Sequence, residues 1–330
     1  MNQKFDKKAY AISKVEEFRS KYPNLDVSSL VAPTYPTKLR NVRLSEKEMA
    51  LLPFNPIVLS TICGSLFGDS SLAINKNYAN ARIQNRHSTR QNDWFMWKTL
   101  CILQEFINET SICWQEPDGY SYSDQIQAPP PKKNDWGGEG EILGKWKVTT
   151  KVNEKLTKLH RIICPSGKKQ LQRFWLNHMN NYFLMALWLD DGSLSDARQG
   201  VISCNNTPIA QAKILANYIC AVWEVECKVV EVASKATATL TQPVAIVIKN
   251  LDNLEKLLRI IAPIIPVPSM LYKVCLYPIE SSRLQRWTSE LKTLVRQEWH
   301  ADIDQIYADL KTKREEGGGA PSKGHKKDRT

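Results

Sequence analysis

The 330-residue sequence predicts an α+β fold of two pseudo-symmetric repeats. Three observations predict it. Two apolar helices, Leu59 to Asp69 and Tyr182 to Asp191, each end in an acid, and these acids stand 191 − 69 = 122 residues apart, about one ordinary domain. Each helix is followed by short segments of period two, the mark of half-buried strands. Each set of strands leads to a helix with a core-facing stripe. Each unit therefore reads helix, strands, helix, strands, helix, and an internal repeat organises the chain.

Residues 1–53 are charged and dotted with Pro23, Pro33 and Pro36, and read as an extension with one helix, Lys7 to Ser20. The first repeat is assigned to residues 54–175. Its strands are Leu72 and Ile74 against Ala73 and Asn75, then Ala81 and Ile83 against Arg82, Gln84 and Arg86, then Trp146, Val148 and Thr150 against Lys147, Thr149 and Lys151. The helix Asn92 to Ile107 carries Trp94, Trp97, Leu100, Cys101 and Phe106 at helical spacings. A proline-rich loop, Pro129 to Gly138, interrupts the unit. The second repeat is assigned to residues 176–302, with strands at Val229 to Val232, Thr237 to Thr241 and Ala245 to Lys249. Its helix, Pro208 to Trp223, starts with proline at the first helical position and carries Ile209, Ala212, Leu215, Ala216 and Ile219. Residues 303–330 hold a helix end and, from Glu315, a glycine-rich charged tail that cannot bury a core.

Composition narrows the partner. The net charge is +11 and the pI about 9.2, a balance that suits a polyanion. No apolar run approaches the ~20 residues of a membrane span, so no membrane partner is expected. The N-terminus lacks the apolar core of a secretory signal. The expected location is a chloroplast or mitochondrion if organelle-encoded, otherwise the cytoplasm. Eight scattered cysteines form no Cys-x-x-Cys pair and no zinc spacing. They read as reduced, buried hydrophobes. Neither a P-loop nor a Gly-x-Ser-x-Gly elbow is present.

The chemistry lies in the paired helices. Gly64 and Gly68 are four apart and share a helical face, where absent side chains let a second backbone come close. A carboxylate just beyond that face would sit beside its counterpart at the common base of the two units. Two such charges, each near a partly negative helix end, are costly without a cation between them, and hard Mg²⁺ prefers carboxylate and water oxygens.

Ile62-Cys63-Gly64-Ser65-Leu66-Phe67-Gly68-Asp69-Ser70 and Leu184-Met185-Ala186-Leu187-Trp188-Leu189-Asp190-Asp191-Gly192 both resemble the LAGLIDADG motif. The resemblance covers about residues 55–275. It departs from the pattern at Ser70 in the first motif and at Ala186 and Asp190, which stand where packing glycines are usual. It implies αββαββα repeats that form a saddle of two antiparallel sheets, with the motif helices packed through Gly64, Gly68 and Ala186. It also implies a monomeric homing endonuclease that hydrolyses phosphodiesters of double-stranded DNA at a long asymmetric site. Metal would be held by Asp69 and Asp191, with the preceding Gly68 and Asp190 beside it. Asp190 itself is expected at a polar edge or helix cap. Mg²⁺ is the expected ion, with Mn²⁺ substituting and Ca²⁺ binding without supporting cleavage.

His87 and Asn205 are expected to position water, and Lys169 (or Lys168) and Lys273 to stabilise phosphate charge. Base reading falls to Arg82 and Arg86 for guanine and to Gln84 and Asn75 for adenine, with Lys147, Lys151 and the neighbouring Thr149 on the same DNA-binding face. The alternative is an intron-RNA-binding splicing factor, a maturase, on the same scaffold. Retention of both acids favours the enzyme, since binding RNA requires no paired carboxylates.

Overall fold

The computed structural model describes residues 6–36, 53–108, 110–115, 144–195, 199–204, 207–231, 244–277 and 279–316. Outside these lie Asn205, the predicted strand Thr237–Thr241, the loop at 129–138 and the tail from residue 317. The fold is α+β, with two antiparallel four-stranded sheets of matching topology. In the first, β1 (Ser70–Ala73), β2 (Arg82–Ser88), β3 (Ile112–Gln115) and β4 (Lys145–Thr149) stand in the order β1-β2-β4-β3. In the second, β5 (Gly192–Ser195), β6 (Gln199–Ser203), β7 (Cys227–Glu231) and β8 (Val244–Ile248) repeat it as β5-β6-β8-β7. Ser70 faces Asn85 across β1 and β2, and Gly192 faces Ile202 across β5 and β6. Aligning the repeats at the motif acids therefore matches Asn85 to Ile202 and, two residues on, His87 to Cys204.

Helix α1 (Lys7–Lys21) belongs to the extension and is capped by Asp6. It is tied to the first repeat by Tyr10, which stacks on Trp146 at 5.6 Å and meets Trp114 edge-on. Lys21 and the Tyr22 hydroxyl donate to Asp93 at 2.8 and 2.9 Å. Further along, the extension reaches the second motif helix: Thr34 and Asn181 exchange hydrogen bonds, and the Tyr182 hydroxyl donates to the Val31 carbonyl.

The motif helices are α2 (Pro56–Leu66) and α6 (Asn181–Asp191), numbered around α3 (Asn92–Trp97), α4 (Glu154–Ile163) and α5 (Arg173–Leu176). Asn55 and Asn180 cap the starts of α2 and α6. Both helices are buried on nearly every side, as expected of elements between two sheets. Gly64 shows why: a Cβ there would lie 2.4 Å from the Phe183 carbonyl and 2.9 Å from the Ala186 Cβ.

Helices α7 (Ile209–Trp223) and α8 (Leu251–Ile261) back the second sheet, and α9 (Ser281–Leu294) and α10 (His300–Glu316) follow. Several sequence expectations change. The helix expected at 92–107 is α-helical only to Trp97; Lys98–Ile102 form a wider π turn and Gln104–Phe106 a tighter one. Trp94, Phe95, Met96 and Trp97 are all fully buried, so no single stripe sets a 3.6 period there. Pro208 is the cap rather than the first helical residue of α7, and Ile209 is exposed rather than in the core. Strands β3, β5 and β6 were not foreseen; β5 and β6 are rich in Gly, Ser and Gln, which carry little strand propensity. All eight cysteines are free, and Cys113 is exposed rather than buried. Among the described residues no helix is long and apolar enough to cross a membrane.

Candidate metal centre and nucleic-acid face

The first motif helix ends at Leu66 rather than at Asp69, which lies three residues beyond it, while Asp191 is the last residue of α6; the two acids are close enough for the Asp69 charge to act on Asp191. Burial and the Asp190 charge push Asp69 up to about 6, against Lys98 and Lys273. Burial, Asp69 and Asp190 push Asp191 up to about 7, against Lys273 and Lys169. Crowding of three acids in a poorly solvated site is the condition a bound cation relieves.

Lys169 and Lys273 sit at the two helix ends in corresponding fashion. The Lys169 amine donates to the Leu66 carbonyl; Lys168 beside it is exposed. The Lys273 amine donates to the carbonyls of Gly192 at 2.7 Å and Asp190 at 3.4 Å. Each cation thus offsets the partial negative charge of a helix C-terminus. Burial lowers both amines, against the pull of the nearby acids.

His87 lies on β2 itself rather than after it, fully buried, with Nδ1 2.8 Å from Gln91 Oε1 and 3.3 Å from Asp69 Oδ2. Burial and Lys98 lower it to about 3, against Asp190 and Gln91, so the ring is neutral near pH 7. Its Nε2 has no hydrogen-bond partner and stands 3.8 Å from Asp190 Oδ1. The register gives Cys204, not Asn205, as the residue matching His87. Burial and the Asp191 charge raise the Cys204 thiol to about 12.

Asp190 overturns the sequence expectation of a polar edge or cap. Its side chain is fully buried. Lys98 Nζ donates to both its oxygens at 2.7 and 2.9 Å, and Trp94 Nε1 donates at 2.7 Å. Burial acts to raise Asp190, but Lys98, His87 and these hydrogen bonds outweigh it and hold the carboxyl below its ordinary value. Gly68 makes room for it: a Cβ there would lie 2.5 Å from the Asp190 Cβ. Side-chain atoms of Asp69, His87 and Asp190 lie within 4.8 Å of one another. Lys98 and Trp94 were missed in the sequence because they sit in a segment that reads as core.

Beneath this cluster, a cavity of about 10 Å³ is lined by Thr61, Ser65, Ser70, Asn85 and Lys98 among others. Neither polar atom of the Asn85 amide, nor the Thr61 hydroxyl, has a partner. That space holds about one water.

The open face of the first sheet carries Arg82, Gln84 and Arg86 on β2 beside Lys147 and Thr149 on β4. Arg86 is braced by Gln115 on β3, and Arg82 lies over the Tyr78 ring. Asn75 and Lys151 are exposed but lie outside the strands. The second sheet's corresponding face carries Gln199, Val201 and Ser203 on β6, Lys228 and Val230 on β7, and Val247 on β8.

Two sheets of matching topology, the first with a basic open face, and two acids near the ends of the packed helices make a two-repeat scaffold built around one acidic centre. The model of the LAGLIDADG DNA endonuclease family matches residues 59–246, and the chain belongs to that family. No curated protein matches the chain. Among solved structures it is similar to the homing endonuclease I-WcaI bound to its DNA recognition sequence, at 17% identity and a TM-score of 0.52, covering 73% of this chain and 95% of that one. I-DmoI in complex with DNA and Ca matches at 12% identity and a TM-score of 0.36, over 70% and 100% of the two chains.

Proposed function

We propose that the protein is a divalent-metal-dependent endonuclease that cuts both strands of a long asymmetric DNA site, acting as a monomer in intron homing. The observation that carries this is the pair of carboxylates, Asp69 and Asp191, brought to the ends of helices packed through Gly64 and each raised by burial and neighbouring acids. The donor set is hard oxygen, which fits Mg²⁺, with Mn²⁺ substituting and Ca²⁺ binding without supporting cleavage. Asp69 and Asp191 would hold the ions, which supply Lewis acidity that activates water and steadies charge on the phosphate. His87 borders Asp69 with a neutral ring that can orient water. Lys169 and Lys273 keep positive charge beside the acids, where the scissile phosphates would arrive.

The first sheet reads its half-site through Arg82, Gln84 and Arg86, with Lys147 on phosphate. The second offers Val201, Val230 and Val247, which suit thymine methyls. Cleavage selection on a random duplex library with Mg²⁺ tests the reading. Wild type should yield a defined site, and Asp69→Asn and Asp191→Asn should each lose double-strand cutting yet still bind it. Mutants that cut like wild type would refute the assignment. Wild type that binds a structured intron RNA and cuts no duplex would favour the splicing factor.

A further inference from the structure

We infer that Asp190 is a positioning residue for Asp69, not an ion ligand, and that the cross-repeat strut it forms with Lys98 and Trp94 makes the two halves of the centre functionally unequal. This rests on the endonuclease reading for its strand-resolved consequence, but on geometry alone for the strut.

A carboxylate offers about four lone-pair sites. All four are taken. Oδ1 accepts from Lys98 Nζ at 2.7 Å and from Trp94 Nε1 at 2.7 Å. Oδ2 accepts from Lys98 Nζ at 2.9 Å and from the backbone N–H of Asp69 at 3.4 Å. A cation entering here would have to displace a buried ammonium that Ser65 Oγ and the Trp94 ring also contact. Within the cluster of Asp69, His87 and Asp190, the Asp190 charge is therefore already balanced from within the protein.

The last of those contacts gives the strut its task. Asp190 belongs to the second repeat, while Lys98, Trp94 and Asp69 belong to the first. Through Asp190 the second motif helix holds the main chain that carries the first repeat's acid. Among the described residues no corresponding hydrogen bond supports Asp191. The position matching Asp190 is Gly68, which has no side chain to reach back. Where α3 and its π turn offer Trp94 and Lys98, α7 buries Ala212, Leu215, Ala216 and Ile219. One acid is fixed by a charged contact from across the interface and the other is not.

The test compares wild type with Lys98→Met/Asp190→Leu, which removes the strut without stranding a buried charge, and with Trp94→Phe, which removes a single N–H. Each strand of the selected duplex is labelled separately and its cleavage followed with Mg²⁺. The double variant should slow one strand by about 10–100-fold, the usual range for a support behind a metal ligand, leave the other within about 2-fold, and accumulate nicked DNA. Trp94→Phe should shift the same ratio in the same direction by less, and serves if the double variant does not fold. An unchanged strand ratio, with rates equal to or uniformly below wild type, overturns the inference. Mn²⁺ titration of the DNA-free protein is the second readout. The number of bound ions should stay as in wild type while affinity falls, and loss of a whole ion would make Asp190 a ligand and end the proposal. If wild type itself cuts neither strand, the endonuclease reading fails while the titration still decides the strut.

Discussion

The two repeats share a backbone plan and differ at nearly every side chain that plan brings to corresponding places. Gly64 answers to Ala186, Gly68 to Asp190, Asn85 to Ile202 and His87 to Cys204. On the open faces Arg82, Gln84 and Arg86 answer to Gln199, Val201 and Ser203. What stays alike is what geometry and charge demand of both halves: an acid at each helix end and a lysine at each helix C-terminus. The rest diverged freely because the helix pair needs close approach only once per contact. A glycine on one side of a crossing lets the other side carry a methyl or a carboxylate. The polar, charged half lies under the first repeat and the apolar half under the second.

The largest expected effect comes from reversing that division of space. Gly64→Ala would place a methyl against the Phe183 carbonyl and the Leu187 nitrogen, backbone atoms that cannot step aside. It should cost about 3 kcal/mol or more, read from urea unfolding. Ala186→Gly, the corresponding position, should cost only about 1 kcal/mol through helix propensity. Equal costs would show that the crossing is looser than the helices imply.

Next in size is the contrast between the two faces. Arg82→Ala and Arg86→Ala should each weaken binding to the selected duplex by about 1–3 kcal/mol and relax base preference in one half-site. Substitution of Val201 by Ser should leave that half-site untouched. Replacing thymine by uracil in the other half-site should weaken wild type several-fold and Val201→Ser less. If uracil is neutral in both half-sites, the valines read no methyl groups.

The acids separate the halves by pH. Asp69 and Asp191 titrate near 6 and 7 in the folded metal-free chain, against 3.8 ordinarily. Below the ordinary value both states are protonated and the groups cost nothing. As pH rises from 3.8 the unfolded chain releases these protons while the folded protein holds them until about 6 and about 7, so stability is lost across that interval and levels off above it. His87 works in the opposite sense, since its folded value near 3 lies below 6.5 and favours the folded state as pH rises. Lys98, Lys169, Lys273, Asp190 and Cys204 face the same site. Comparing wild type with Asp69→Asn/Asp191→Asn isolates the two acids. The variant's melting-temperature advantage should grow from about pH 4 to about pH 7, level off above that, and shrink when Ca²⁺ is added to both. An advantage independent of pH would contradict the crowding.

The helices, their acids and the basic strand β2 were legible in the sequence because each rests on local pattern: apolar runs ended by Asp, and Arg82, Gln84 and Arg86 alternating with buried residues. Lys169 and Lys273 were legible only through the motif resemblance. Asp190, Lys98 and Trp94 were not legible. Their meaning depends on a contact between residues 92 apart in sequence, and a lysine amid Trp94, Trp97 and Cys101 carries no local mark of a buried partner. Strands β5 and β6 escaped because glycine and serine hide the period-two pattern. Cys204 escaped because only strand register matches it to His87.

The smallest effect tests the cavity under the charged half. Asn85 is buried with neither amide atom paired to protein, while its counterpart Ile202 is apolar and equally buried. An unsatisfied buried amide costs about 1–3 kcal/mol, so an empty cavity would make Asn85→Leu stabilising by about 1 kcal/mol or more. A water in the cavity reverses the sign. It would bridge the Asn85 amide and the Thr61 hydroxyl beside the Lys98 ammonium, whose third N–H points to Ser65 Oγ. Asn85→Leu would then strip a partner from that water beside the strut and destabilise the fold by about 1 kcal/mol. The lining sets Thr61, Ser65, Ser70, Asn85 and Lys98 beside Ile62, Ile83, Ile102 and Leu103 and is sized for one molecule. With the Asn85 amide and the Thr61 hydroxyl otherwise unpaired, destabilisation is the expected outcome, with Ile202→Val in the apolar half costing a similar ~0.5–1.5 kcal/mol by lost packing alone. The two substitutions should differ in how Lys98→Met affects them: Asn85→Leu should be largely absorbed in the Lys98→Met background, and Ile202→Val should add to it in full.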